Sequence, residues 1–237
     1  MNTKEPVTVL HHILKSKRNP KIKLLGDSIT HGVGGSGWEQ NGTVIYKDYA
    51  QSPNSFCWAN LLRDYMKEKY GATVVNNGCT GTTVEFVTRH IPELVNPDDD
   101  LIICTIGTNN RHQYFADGEK PAREAFLAAL YEKIAHMYGA FCNKGIPTIF
   151  VANIPASEQN EKDGEDYWRI LRMSDINDCY KRLAREQGAC VLSLYDLVSA
   201  YCKKNGVSID ALLCDGLHPN DDGYRVMFDL LVKALEL

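Results

Sequence analysis

The chain has no long apolar run, no closely spaced cysteine pair and little excess of either charge. Each absence excludes something. No stretch approaches the ~18 consecutive apolar residues of a membrane span. The N-terminal stretch MNTKEPVTVLHHILKSKRNP lacks the uninterrupted apolar core of a secretory signal. The chain is therefore expected to be cytoplasmic, or secreted if a leader has been removed. There are 26 basic and 30 acidic side chains, a net charge of −4. That balance leaves no electrostatic footprint for nucleic acid or an anionic membrane. The cysteines sit at 57, 79, 104, 142, 179, 190, 202 and 214. No two are three apart, so no CxxC pair exists for zinc or redox chemistry. Several lie in apolar runs, such as Cys104 within 101–106, and read as buried free thiols in a reducing compartment. Internal repeats and low-complexity linkers are also missing.

What is present is ordinary globular material. A chain of 237 residues with 44% hydrophobic side chains can bury a sizeable core without disulfide or metal staples. Residues 1–20 read as an N-terminal arm and 21–237 as one domain. Short apolar runs at 21–26, 73–76, 101–106, 148–154 and 190–194 read as strands. Runs apolar on both faces mean a parallel sheet covered on both sides. Helical patterns occupy 56–70, 82–95 and 174–187. A further helix starts at Pro121, in the first helical position. It carries the stripe Phe126, Leu130, Ile134, Met137 and Phe141 and is stopped by Gly145. A last helix carries Met227, Leu230, Leu231, Ala234 and Leu235. The alternation predicts α/β architecture, a three-layer α/β/α sandwich around a five-stranded parallel sheet.

In such sheets ligands bind at the carboxyl ends of the strands. After the first strand comes Gly26-Asp27-Ser28-Ile29-Thr30-His31-Gly32. The glycine permits a tight turn. A serine in such a loop is more often a helix cap than a nucleophile. After the second strand, Asn76-Asn77-Gly78-Cys79-Thr80-Gly81 can present backbone N–H groups to an anion, or simply turn the chain. After the third, Gly107-Thr108-Asn109-Asn110 can aim a carboxamide N–H at a developing oxyanion, or again only turn. Before the last helix, Asp215 precedes His218 by three residues, close enough to accept from its ring and fix its tautomer. Each loop alone is ambiguous. Together they place a nucleophile, two oxyanion-type donors and an Asp–His pair along one edge of one sheet.

At these residues the chain resembles the SGNH hydrolases, also called the GDSL esterase/lipase family. The resemblance runs from the first strand to the last helix and implies the flavodoxin-like SGNH hydrolase fold. It implies Ser28, Asp215 and His218 as catalytic residues. It also implies an oxyanion hole of the Ser28 N–H, the Gly81 N–H and the Asn109 side chain, with Gly81 preferred to Gly78. The family commonly reads Gly-x-Asn-Asp in its third block, and here Asn110 replaces the acid. The expected activity is hydrolysis of a short-chain ester, an O-acetyl group on a carbohydrate, through an acyl-enzyme on Ser28. Alternatives are a lysophospholipase or thioesterase on longer acyl chains, acyl transfer to a sugar alcohol, and a non-catalytic carbohydrate-binding protein on the same fold. A small-molecule or saccharide ester is the expected partner, and no metal or organic cofactor is expected.

Other signals carry less. Asp27 is expected to hold loops by hydrogen bonds rather than move a proton. Gly32-Val33-Gly34-Gly35-Ser36-Gly37 spells GxGxxG, but no strand immediately precedes it and no helix opens inside it. His11-His12 and Asp98-Asp99-Asp100 lack convergent partners for a metal. Trp38, Tyr46, Tyr49 and Trp58 flank the loop after the nucleophile and read as packing, with sugar stacking as the alternative. The acidic segment 157–166 reads as a mobile rim or lid.

Overall fold

A computed structural model describes residues 5–39 and 54–237. Among them are seven strands: β1 (Lys21–Gly26), β2 (Thr73–Gly78), β3 (Leu101–Thr105), β4 (His112–Tyr114), β5 (Thr148–Ala152), β6 (Tyr167–Arg169) and β7 (Cys190–Ser193). Five form one sheet in the order β2-β1-β3-β5-β7, all parallel. Strand order reverses between β1 and β3, the position where open α/β sheets form their ligand crevice. Register makes that crevice level. Gly26 pairs with Gly78 on one side and Thr105 on the other, so three strands end at one height.

The helices are α1 (Pro6–Ser16), α2 (Ser28–His31), α3 (Trp58–Tyr70), α4 (Val84–Arg89), α5 (Ile91–Leu94), α6 (Arg123–Lys144), α7 (Met173–Gln187), α8 (Leu194–Asn205) and α9 (Asp221–Ala234). Alternate strand residues sort them into two layers. Ile22, Leu24, Ile103 and Ile149 face Leu10 of α1, Leu62 of α3, Val198 of α8 and Met227 of α9. Leu25, Ile102, Cys104 and Phe150 face Val87 of α4, Leu94 of α5, Ile134 of α6 and Tyr180 of α7. The three-layer sandwich with five parallel strands is therefore the observed architecture.

Several local expectations are corrected. The helix read over 82–95 is two, α4 and α5, because Pro92 has no N–H for a continuous ladder and sits in the first turn of α5. Helix α6 begins at Arg123, with Pro121 outside it in the approach. Helix α8 is additional to the helices expected, and Leu194, Leu197, Val198, Tyr201 and Cys202 repeat along it with helical spacing. Within the stretch read as an arm, α1 buries Leu10 and Ile13, and the His11 ring meets the Leu235 carbonyl at 3.0 Å. Strands β4 and β6 form a separate two-stranded antiparallel ribbon. All eight cysteines are free; five are buried, Cys202 is half-buried, and Cys142 and Cys214 are exposed. Among the described residues no helix is long and apolar enough to cross a membrane.

Candidate active site

Ser28 opens α2 directly beyond β1 and is almost wholly buried. Asp27 caps that helix, its Oδ1 accepting the Ile29 N–H at 3.0 Å. Its Oδ2 accepts from Asn153 Nδ2 at 3.2 Å, and the same amide donates to Thr108 Oγ1 at 2.8 Å. Asp27 thus ties the tips of β1, β3 and β5 together. Burial raises its pKa, against the opposing hydrogen bonds of Thr108 and Ile29. The tight turn expected of Gly26 has a different basis. Its φ is not positive; a Cβ there would instead collide with Thr30 Oγ1 and lie 2.7 Å from the Thr105 carbonyl. A Cβ on Gly78 would likewise collide with the backbone of His31. The two glycines let α2 rest on the strand tips.

The loop after β2 separates its two glycines. The Gly78 N–H is committed to Asn76 Oδ1 at 2.9 Å. Gly81 occupies the third position of a turn closed by Thr82 N–H to the Cys79 carbonyl at 3.3 Å, where its φ of +77° suits glycine. Nothing crowds its outer face.

After β3, Gly107 at φ +120° leads into a single turn, Thr108–Arg111. Asn109 Nδ2 donates to the Thr82 carbonyl at 2.8 Å, which binds the second loop to the third. A carboxamide nitrogen carries two protons, so one remains to point elsewhere. Asn110 accepts the Val84 N–H at 2.9 Å and donates to Glu85 Oε2 at 2.7 Å. Glu85 also pairs with Lys133. Burial opposes ionisation of Glu85, yet Lys133, its own backbone and Asn110 leave its pKa lowered. An aspartate at 110 would accept from Val84 but could not donate to Glu85. The departure at 110 therefore has a partner in space.

The fourth loop brings up the Asp–His pair. Asp215 Oδ1 accepts the N–H groups of Leu217 and His218 at 3.0 and 2.8 Å. Its Oδ2 lies 2.6 Å from His218 Nδ1, and His218 Nε2 lies 2.8 Å from Ser28 Oγ. Partial burial pushes the Asp215 pKa up, but the His218 ring and these two backbone donors hold it lowered. An ionised Asp215 places the proton on Nδ1 and leaves the Nε2 lone pair facing Ser28. The expected residues Ser28, Asp215 and His218 are thus brought into one hydrogen-bonded series, with Gly81 and Asn109 on the neighbouring loops. Beside Gly81 and Asn109 opens a cleft of about 490 Å³, whose lining includes Glu85, Asn110, Tyr114 and Lys133.

Of the GxGxxG glycines, Gly32 and Gly34 serve close packing, since a Cβ on Gly34 would lie 2.5 Å from the Pro219 carbonyl and 2.7 Å from Cys214 Sγ, whereas Gly37 faces open space. Trp38 donates its indole N–H to His31 Nδ1 at 2.9 Å, and Trp58 is fully buried. Tyr46 and Tyr49 lie outside the described residues. The segment 157–166 is pinned rather than free, through Arg111 to Glu161 at 3.0 Å and Arg111 to Asn160 at 2.9 Å. Among the described residues no group of three metal-ligating side chains converges. Sequence reasoning missed Asn153 and Arg111. Asn153 lies just past β5, so reading every residue after a strand would have reached it. Nothing local marked Arg111, whose acidic partner is 50 residues on.

The family model for the GDSL-like lipase/acylhydrolase family matches residues 24–226. A Saccharomyces cerevisiae isoamyl acetate-hydrolyzing esterase is 22% identical over 222 residues, 91% of this chain and 86% of that one. An acetylxylan esterase from Geobacillus stearothermophilus superposes with a TM-score of 0.66 at 17% identity, covering 93% of this chain and 97% of that chain. Structures of catalytic mutants of that esterase, altered at a serine, an aspartate or a histidine, match the fold equally. An α/β hydrolase enzyme from the metagenome of Lake Arreo gives a TM-score of 0.65 at 20% identity, covering 92% and 95%.

Proposed function

Because the chain belongs to the GDSL-like lipase/acylhydrolase family, we propose that it hydrolyses short-chain carboxylic esters, with an O-acetyl group on a carbohydrate as its substrate. The observation that carries this reading is the series Asp215, His218, Ser28, with contacts of 2.6 and 2.8 Å. Ser28 Oγ attacks the ester carbonyl carbon as His218 Nε2 takes its proton. Asp215 keeps the imidazole oriented and balances its charge. The oxyanion accepts from the Ser28 N–H, the Gly81 N–H and the free Asn109 N–H. Collapse expels the alcohol, which leaves with the proton held by His218. Water, deprotonated by the same ring, then cleaves the acyl-enzyme to release the carboxylate and restore Ser28.

Two features support a short acyl group and a polar alcohol. The yeast and Geobacillus relatives are named for acetyl esters. The cleft beside the proposed oxyanion donors carries Glu85, Asn110, Gln113 and Lys133, which offer hydrogen bonds to hydroxyl groups, next to Tyr114 and Phe126, whose rings can cover the apolar face of a sugar. An acetate-release screen across acetylated saccharides, with Ser28→Ala as control, tests the proposal. Acetate release that disappears in the variant is expected. Activity of the wild type on p-nitrophenyl palmitate exceeding that on the acetate would overturn the short-chain assignment.

A further inference from the structure

A guanidinium without exposed surface lies between the loop of Asn109 and the turn of His218. Arg111 ends the turn Thr108–Arg111 and is wholly buried. Its Nε donates to the Thr108 carbonyl at 3.0 Å, within the turn that carries Asn109. Its two terminal nitrogens donate to Glu161 Oε2 at 3.0 Å and Asn160 Oδ1 at 2.9 Å. The Glu161 side chain is only 7% exposed, and its other oxygen accepts the Met173 N–H at 3.0 Å. The turn they belong to is closed on Ser157, whose Oγ accepts the Asn160 N–H at 3.2 Å. Ser157 then donates its own N–H to the Gly216 carbonyl at 2.8 Å, between Asp215 and His218. A Cβ on Gly216, whose φ is +83°, would come within 2.5 Å of Ser157 Oγ. Direct contacts therefore run without a break from the Asn109 turn to the His218 turn.

Stability alone is a poor reason for this arrangement. Removing both ions from water is costly, and apolar residues of the same volume often serve a fold as well or better. What the guanidinium supplies is direction. Its planar fork meets acceptors on two loops in one orientation, which an apolar pair does not specify. Ser28 has no need of such a device, because β1 and the strand-tip glycines already place it. The His218 turn lies beyond the sheet and has no strand of its own.

We propose that Arg111, through Glu161, Asn160 and Ser157, is a positioning residue for the hydrolysis. It sets the separation between the Asn109 turn and the Asp215–His218 turn, so that the oxyanion donor and the proton acceptor meet the same carbonyl. The inference rests on the ester-hydrolase reading above. It is tested with the paired variant Arg111→Met/Glu161→Met and with Glu161→Gln, assayed on p-nitrophenyl acetate. Rates are expressed per Ser28 titrated to completion with a fluorophosphonate. The paired variant is expected to lose about 100-fold in kcat per titrated site, with KM changed by less than about threefold. Glu161→Gln is expected to lose about three- to tenfold on the same scale. A kcat per titrated site equal to wild type in both variants, even with a lowered melting temperature, would mean a structural role only and would overturn the proposal. Should the paired variant fail to fold, Arg111→Lys and Glu161→Gln carry the test with the same two outcomes. Full activity in Ser28→Ala would instead overturn the hydrolase reading and leave the brace without a reaction to position.

Discussion

The turn that carries Ser28 and the turn that carries His218 meet across 2.8 Å but are held in opposite ways. The first is set into the core. Ser28, Ile29, Thr30 and His31 are all buried, Asp27 caps the turn from below, and Gly26 and Gly78 let it rest on the strand tips. The second stands outside the sheet. Asp215 is about half exposed. Its turn is closed by its own bonds and by the Leu213–Pro219 bridge, and is met from outside by Ser157 and by the close approach of Gly34. The nucleophile side is thus built like a core and the base side like a surface loop. Damage to the frame of the first, the Ser28 hydroxyl apart, should appear as lost stability, and damage to the second as lost rate with the fold intact.

Four substitutions probe the two sides separately. His218→Ala should lower kcat by about 10⁴–10⁶ while urea unfolding moves by no more than about 1 kcal/mol, the worth of one partly exposed pair. A large loss of stability there would erase the distinction. Asn109→Ala should lower kcat by about 10²–10³, the usual effect of one missing oxyanion donor. Steady-state kinetics on p-nitrophenyl acetate checks it, and a near-wild-type kcat would remove Asn109 from the reaction. Gly78→Ala acts on the buried side. A methyl group driven against the His31 backbone should cost about 1–3 kcal/mol, read from the urea midpoint. A neutral result would mean that the strand tips yield more readily than core packing does.

The smallest effect belongs to Asn110→Asp, at the margin of the site. The new carboxylate would face Glu85 where a carboxamide now donates at 2.7 Å. The two carboxyls cannot both ionise freely, so one has a folded pKa above its unfolded value. Such a group binds more protons when folded, and its penalty grows as pH rises through that window. The variant should be about 1–2 kcal/mol less stable than wild type at pH 7, with the gap closing toward pH ~4. Denaturation at the two pH values decides it, and a gap that widens on acidification would contradict the pairing.

How much was legible beforehand follows the same divide. The five strands were readable because each is a short apolar run covered on both faces, and β3 has every residue buried. Parallel order then put the ends of β1, β2 and β3 at one edge, and Ser28, Gly81 and Asn109 came with them. The Asp215–His218 spacing was readable because both members of the contact lie on one turn. Contacts between distant segments were not. The helix break at Pro92 was visible in principle but masked by a continuing apolar pattern. Helix α8 had its stripe in plain view. By contrast, Glu85 as the reason for Asn110 and Glu161 as the partner of Arg111 depend on loops that meet only after folding. The role of Gly26 also emerged only from what α2 places beside it. Local periodicity encodes the layers, while the partners of buried charges are set by tertiary approach.

Ser28, activated by His218, is the proposed attacking group, and a fluorophosphonate probe followed by peptide mass spectrometry identifies it. One label per chain is expected, on Ser28, formed in step with the loss of p-nitrophenyl acetate hydrolysis and strongly slowed in His218→Ala. Hydrolysis that persists in fully labelled protein, or a label that extinguishes activity from any other residue, would contradict it.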